Sequence, residues 1–291
     1  MLRIVAIIFP IFAIVGAGYA YARVRKPDMA FANQLNMDVF VPALVFAALA
    51  GKDFDLAANW RLALGATAVV LGSGLLAWPV ARLLKVPANT LLPPMMFNNS
   101  GNMGLPLLVL AFGESALPFA VVLFFVENTL HYALGTWMLD HRARLWNLWR
   151  VPVIAAAIAG LAVSLLKIEL WPPLYVGIKL LGDVAIPLLL FSLGVRLTGS
   201  VSSDLRLGLV GAALCPLAGM AVAWAVVPLL GLDATQAGML LIFGALPPAV
   251  LNYLFAEKYR QEPERVASIV MVGNVAALVF VPLALFFALP R

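Results

Sequence analysis

The apolar segments of this chain come in a series too long and too regular for a water-soluble fold. Ten of them run at 3–22, 31–50, 60–84, 89–112, 116–139, 151–167, 174–196, 206–230, 234–256 and 266–289. A helix needs about 20 residues to cross the ~30 Å hydrocarbon core of a bilayer. In water such a chain could not cover its own surface: 64% of its residues are hydrophobic and 11% charged, against about 25% charged in an ordinary globular domain. That excludes a soluble enzyme and, by the same apolar excess, intrinsic disorder. The single cysteine, Cys215, excludes a disulfide scaffold. Ten spans use roughly 200 residues, which leaves short loops and no extramembrane domain.

The net charge of +5 reads as basic loops at a membrane, with no nucleic-acid partner. Thirteen of the nineteen Lys and Arg residues fall in the loops after spans 1, 3, 5, 7 and 9, Arg196 among them. Lys and Arg collect on the cytoplasmic side, so both termini are expected outside. Ala20-Tyr21-Ala22 looks like a signal-peptidase site, but the apolar stretch before it is too long for a signal peptide. The basic cluster Arg23, Arg25 and Lys26 also follows that stretch instead of preceding it. Trp146 and Trp149, among Arg142, Arg144 and Arg150, read as an interfacial belt.

The chain also repeats itself. Residues 38–46 (Asp-Val-Phe-Val-Pro-Ala-Leu-Val-Phe) return at 183–191 as Asp-Val-Ala-Ile-Pro-Leu-Leu-Leu-Phe. Pro93-Pro94 of span 4 returns as Pro247-Pro248 of span 9, and Asn128 of span 5 as Asn274 of span 10. Each match falls in the equivalent span of its half. The halves are 1–139 and 151–291, joined by a short cytoplasmic linker at 140–150. Five spans are an odd number, so the second half must enter the membrane from the opposite side. An all-α, ten-helix, five-plus-five inverted repeat is a recurrent design of secondary transporters, with the binding site near the midplane where the halves meet.

Spans 4 and 9 are both broken. Span 4 holds Pro93, Pro94, Asn98, Asn99, Ser100, Gly101, Asn102, Gly104 and Pro106 within fifteen residues; span 9 holds Gly244, Pro247, Pro248 and Asn252. Irregular backbone at membrane depth survives only where protein buries it or it lines a watery cavity. Broken helices expose N-termini whose free N–H groups favour anions. The functional reading is a carboxylate-sized anion at Asn98–Gly104 and Asn252. The bland alternative is two kinked, buried helices whose asparagines bond freed carbonyls.

Four ionisable residues lie at membrane depth, where charges are costly and usually functional. Asp38 and Asp183 are the repeat-paired acids, read either as coupling groups or as supports for broken backbone. Glu127 and His131 lie four apart on one helix face, either as a proton relay or as a pair that locks helices together. Asn128 and Asn274 read as interhelical glue. A sodium site would need several oxygen ligands, and span 9 offers few; proton coupling or uniport therefore ranks above sodium coupling.

The stretch Asn99-Ser100-Gly101-Asn102-Met103-Gly104-Leu105-Pro106-Leu107 resembles the first crossover of the auxin efflux carrier family. Leu246-Pro247-Pro248-Ala249-Val250 with Ala256-Glu257-Lys258-Tyr259 resembles its second, and Phe40–Phe46 of span 2 also fits. The resemblance covers essentially the whole chain. It implies a bacterial carrier with a fold related to the bile-acid/sodium symporters, with scaffold and transport domains interleaving both repeats. It further implies two crossed broken helices and an elevator-like movement. The substrate site would lie beside Asn98, Asn99, Gly101, Asn102, Gly104, Pro247, Pro248 and Asn252. A homodimer in a bacterial inner membrane, with no cofactor, fits the same picture. An intramembrane enzyme is the competing class, but the sequence has no His-Glu-x-x-His and no Gly-x-Ser-x-Gly. A receptor would need an extramembrane part to signal through.

Overall fold

A computed structural model describes residues 2–51, 56–141, 149–198 and 204–289. Arg142, Arg144 and Trp146 of the expected belt lie outside them. Among the described residues there is no strand, only helix and short connections. Helix α1 is Leu2–Arg25. Helix α2, Ala30–Leu35, runs through a π-helical turn at Asn36–Phe40 into α3, Val41–Ala50. Next come α4 (Leu56–Leu84), α5 (Ala88–Met96), a second π-helical turn (Ser100–Gly104) and α6 (Leu105–Phe112). Helix α7 (Leu117–Leu130) passes through a third π-helical turn, His131–Gly135, into α8 (Thr136–Leu139). The second half holds α9 (Pro152–Leu165), α10 (Pro172–Asp183), α11 (Ala185–Arg196), α12 (Leu205–Leu230), α13 (Ala234–Gly244), α14 (Val250–Lys258) and α15 (Pro263–Ala288).

Among the described residues, seven helices are long and apolar enough to cross a membrane. They cover spans 1, 2, 3, 5, 7, 8 and 10 of the sequence. Shorter apolar helices stand at the other three: Ser100–Phe112, Pro152–Leu165 and Ala234–Gly244. Large apolar side chains such as Phe9, Phe31, Leu75 and Leu229 point outward, as they do on a protein whose solvent is lipid. The chain is a multi-pass α-helical membrane protein.

Prolines occur both inside the long helices, as Pro10, Pro79, Pro216, Pro228 and Pro282 do, and at helix starts. Pro152, Pro172 and Pro263 stand in first turns, where the missing N–H costs nothing, while Pro42 and Pro106 follow directly on π-helical turns. Pro93 and Pro94 lie inside α5, and the chain leaves the helix only after Met96. Pro247 and Pro248 lie in the second break itself, at 245–249. The two proline pairs matched in sequence therefore do different jobs.

The helices form two bundles. In the first, α1 packs along α11, and α3 packs along α9 and α10. Gly18 and Gly194 face each other's helices so closely that a Cβ on either would strike backbone, at Phe191 and Val15 respectively. Small residues permit such backbone contact between membrane helices. In the second bundle, α4 packs on α5, α7 and α12, while α12 packs on α13 and α15, with α14 against α15. Gly219 and Gly244 make the equivalent close approach between α12 and α13. The bundles meet where α11 touches the Ser100–Gly104 turn and α3 touches α7.

Candidate functional site

The two breaks complete each other. Phe97 and Ala249 have extended backbone, and Asn98 stands opposite Pro248 in an isolated antiparallel bridge. The Asn99 N–H donates to the Pro247 carbonyl at 2.7 Å, and the Ala249 N–H donates to the Phe97 carbonyl at 3.0 Å. Residues 98 and 248 thus form a pair that is not itself hydrogen-bonded, so proline loses no ladder bond there. Backbone that lipid could not satisfy is satisfied by the other break.

The asparagines finish this work. Asn98 Nδ2 donates to the Phe243 carbonyl at 2.6 Å, and Asn252 Nδ2 to the Phe97 and Ala249 carbonyls at 2.8 and 3.0 Å. Asn99 Nδ2 donates to Asn274 Oδ1 at 2.8 Å, and Asn274 Nδ2 donates onward to Pro248 and Val270. The donors of Asn98 and Asn252 close backbone carbonyls around the breaks, and that of Asn99 closes on the Asn274 side chain. The Oδ1 atoms of Asn98 and Asn252 are buried without a partner.

The donors left over are in the backbone. Neither the Ser100–Gly104 turn nor α14 has a side-chain cap. The N–H groups of Gly101, Asn102, Val250 and Leu251 take no carbonyl among the described residues, as expected of uncapped first turns. All four residues line one cavity of about 260 Å³.

That cavity divides the predicted residues. Asn98, Asn99, Gly101 and Asn102 line it, as do Glu127 and His131. Ser100, Gly104, Pro247, Pro248 and Asn252 do not line it. The Ser100 hydroxyl donates to Glu127 Oε2 at 2.8 Å, and Asn128 Nδ2 reaches the same oxygen at 3.0 Å. Gly104 lets Leu246 close in. His131 Nδ1 stands 3.2 Å from Glu127 Oε1, without the alignment of a full hydrogen bond, and its Nε2 has no partner. The imidazole is sandwiched flat on Phe97 at 4.2 Å, with the edge of Phe255 at 5.2 Å.

The repeat-paired acids are not brought to the cavity. Asp183 is exposed and pairs with Lys179 at 3.2 Å; Asp38 is exposed on the π-helical turn of span 2. Sequence similarity placed them at matching points of their helices but not at a shared site. The far wall of the cavity was not foreseen. It consists of Asn33, Asn36 and Met37 from span 2, Tyr132 beside His131, and Leu189, Ser192 and Arg196 from α11. The Ser192–Arg196 spacing of four residues was the available signal, obscured because Arg196 counts as a loop cation.

Each of the three π-helical turns gives residues to the cavity: Asn36 and Met37, Gly101 and Asn102, His131 and Tyr132. Such turns recur at functional sites because they turn side chains out of the regular ladder. A cavity lined by several asparagines and by interrupted helices, inside a helical membrane protein, is what a membrane transporter requires. The model of one family, membrane transport protein, matches residues 3–145 and 141–285. The chain belongs to that family, the auxin efflux carriers whose motifs it resembles. No curated protein matches it.

Proposed function

We propose that this chain is a secondary carrier for a small organic carboxylate anion. The observation that carries the reading is the set of four unpaired N–H groups, at Gly101, Asn102, Val250 and Leu251, in one cavity. Two helix N-termini with free donors favour negative charge, and unpaired donors inside a membrane are expensive unless a ligand takes them. A carboxylate supplies both the charge and the acceptors.

Packing supports ten spans in a five-plus-five inverted repeat. The contact of α1 with α11 is matched by that of α9 with α3, and α4 with α5 and α7 by α12 with α13 and α15. Helix α6 on α7 is matched by α14 on α15, and α4 packs on α12. On this reading spans 4 and 9 are pairs of half-helices that cross at Asn98 and Pro248, and both chain ends lie outside. The bundle with the breaks slides, elevator-like, against the bundle of α1, α3, α9, α10 and α11, which also serves a homodimer in a bacterial inner membrane. Glu127 and His131, beside the cavity and bonded to the first break through Ser100, carry a coupling proton.

The test is transport current from purified protein in liposomes on a solid-supported membrane. Small mono- and dicarboxylates and indole-3-acetate are applied at two pH values, in sodium and then in potassium. A saturable, pH-dependent current for one acid, indifferent to sodium, is expected. A requirement for sodium would move the coupling from proton to sodium. Silence in these currents and in radiolabelled counterflow would sink the carboxylate reading.

A further inference from the structure

Arg196 is a cation with no counter-ion among the described residues. Among the described residues it makes no hydrogen bond and no ion pair. It lines the 260 Å³ cavity and also a second one, of about 910 Å³, which leads past Tyr253 to Glu257, Pro263 and Glu264 at the α14–α15 turn. Of the described residues that line the two cavities, Arg196 is the one Lys or Arg. One turn earlier on α11, Ser192 lines the first cavity with a buried hydroxyl that has no partner.

A basic residue in the last turn of a helix is ordinary, because the helix dipole favours it. An arginine that stands between two cavities of a membrane protein is not. Its side chain is exposed at the end of α11, so it meets water at the edge of both cavities, and its guanidinium stays charged there. The planar fork matches a carboxylate with two parallel hydrogen bonds. Glu127, the acid in the same cavity, is already held by Ser100, Asn128 and His131.

We propose that Arg196, assisted by the Ser192 hydroxyl, is the anchor that receives the substrate's carboxylate from the open face of the protein. This rests on the carboxylate reading above and adds a side to it. Arg196 belongs to α11, which packs along α1, whereas Gly101, Asn102, Val250 and Leu251 belong to the other bundle. When the breaks move past α11, the bound anion leaves the guanidinium behind. Arg196 therefore sets affinity on the face where α11 ends and has no part in affinity on the opposite face.

The experiment compares wild type, Arg196→Gln and Arg196→Lys in right-side-out and inside-out membrane vesicles. The probe is radiolabelled succinate or indole-3-acetate, whichever the wild type moves faster. Charge-assisted hydrogen bonds of this kind correspond to about 10- to 100-fold in affinity. Arg196→Gln should raise KM by about that factor on the α11 C-terminal face alone, and Arg196→Lys should recover part of it. A wild-type KM for Arg196→Gln on both faces, or an equal rise on both, would overturn the inference while leaving the carrier intact. A second arm uses liposomes of phosphatidylcholine with and without phosphatidylglycerol. A defect confined to the anionic vesicles would assign the guanidinium to a lipid headgroup and overturn the inference too. Wild type that moves neither probe would sink the carrier reading itself, and this anchor with it.

Discussion

Helix α12 and helix α14 begin in opposite ways. At α12, Asp204 accepts the Leu207 N–H at 3.0 Å, and its other oxygen holds Arg265 at 3.2 Å. Helix α13 begins likewise, with Asp233 accepting the Gln236 N–H at 2.8 Å. Helix α14 begins at Ala249, whose side chain can accept nothing, and the Ser100–Gly104 turn begins at Asn99, whose amide is committed to Asn274. Side-chain caps at helix starts contribute about 1 kcal/mol each. Among the described helices α12 and α13 have side-chain caps, while α5, α9, α10 and α15 begin without one; what sets the Ser100–Gly104 turn and α14 apart is that their uncapped starts lie beside the cavity. An omitted cap leaves donors for something that comes and goes.

The comparison breaks most sharply at Asn102. Its side chain lines the cavity without a protein partner, so Asn102→Ala should bring flux to background while the protein still folds and inserts. Wild-type flux from that variant would remove the uncapped turn from the site. Ala249→Ser should come next, because a hydroxyl at that position can accept an N–H of α14 and compete with the substrate. We expect flux to fall roughly 10-fold, as for an interaction of about 1.4 kcal/mol, with melting temperature unchanged or raised; unchanged flux would mean these donors bind no cargo. Glu127→Gln should leave transport measurable but flatten its pH profile, and a profile like the wild type's would exclude Glu127 as the coupling group.

The smallest effect is expected at the capped end. Asp204→Ala should cost about 1 kcal/mol of stability and leave substrate KM alone. The Leu207 N–H, with the Arg265 guanidinium beside it, holds the Asp204 carboxyl below the usual carboxylate range. A carboxyl depressed in the folded state contributes its stability above the unfolded value, near pH 4, and loses it as pH falls through the folded value. Melting curves of wild type and Asp204→Ala should therefore converge on acidification below pH 4, and parallel curves would remove the cap.

Much of this was legible one span at a time. Hydropathy located the helices, and the crowding of Pro, Gly and Asn at 92–106 and 244–253 located both breaks. The spacing of Glu127 and His131 gave their contact, because residues four apart on a helix must meet. What the sequence did not carry was which of the residues aligned between the halves share a site. Asp38 and Asp183 align in sequence, yet Asp183 faces Lys179 and neither lines the cavity. Pro93-Pro94 aligns with Pro247-Pro248, yet the first pair is helical and the structural partner of Pro248 is Asn98. Asn36, Ser192 and Arg196 carried no local mark, because a cavity wall is defined by which helix faces which, and no window of one segment contains that.

The bridge between the breaks has a mechanical consequence. Parting residues 97–99 from 247–249 would strand the Asn99 and Ala249 amides and the carbonyls they meet, together with those that Asn98 and Asn252 hold. Each stranded buried group costs about 1–3 kcal/mol, so the parted form would be populated by fewer than about one molecule in a thousand. No hinge can act there. On the carrier reading proposed above, two stretches from opposite halves of the chain would travel as a single rigid piece, and a cargo held between them would keep the same four amide neighbours for the whole journey.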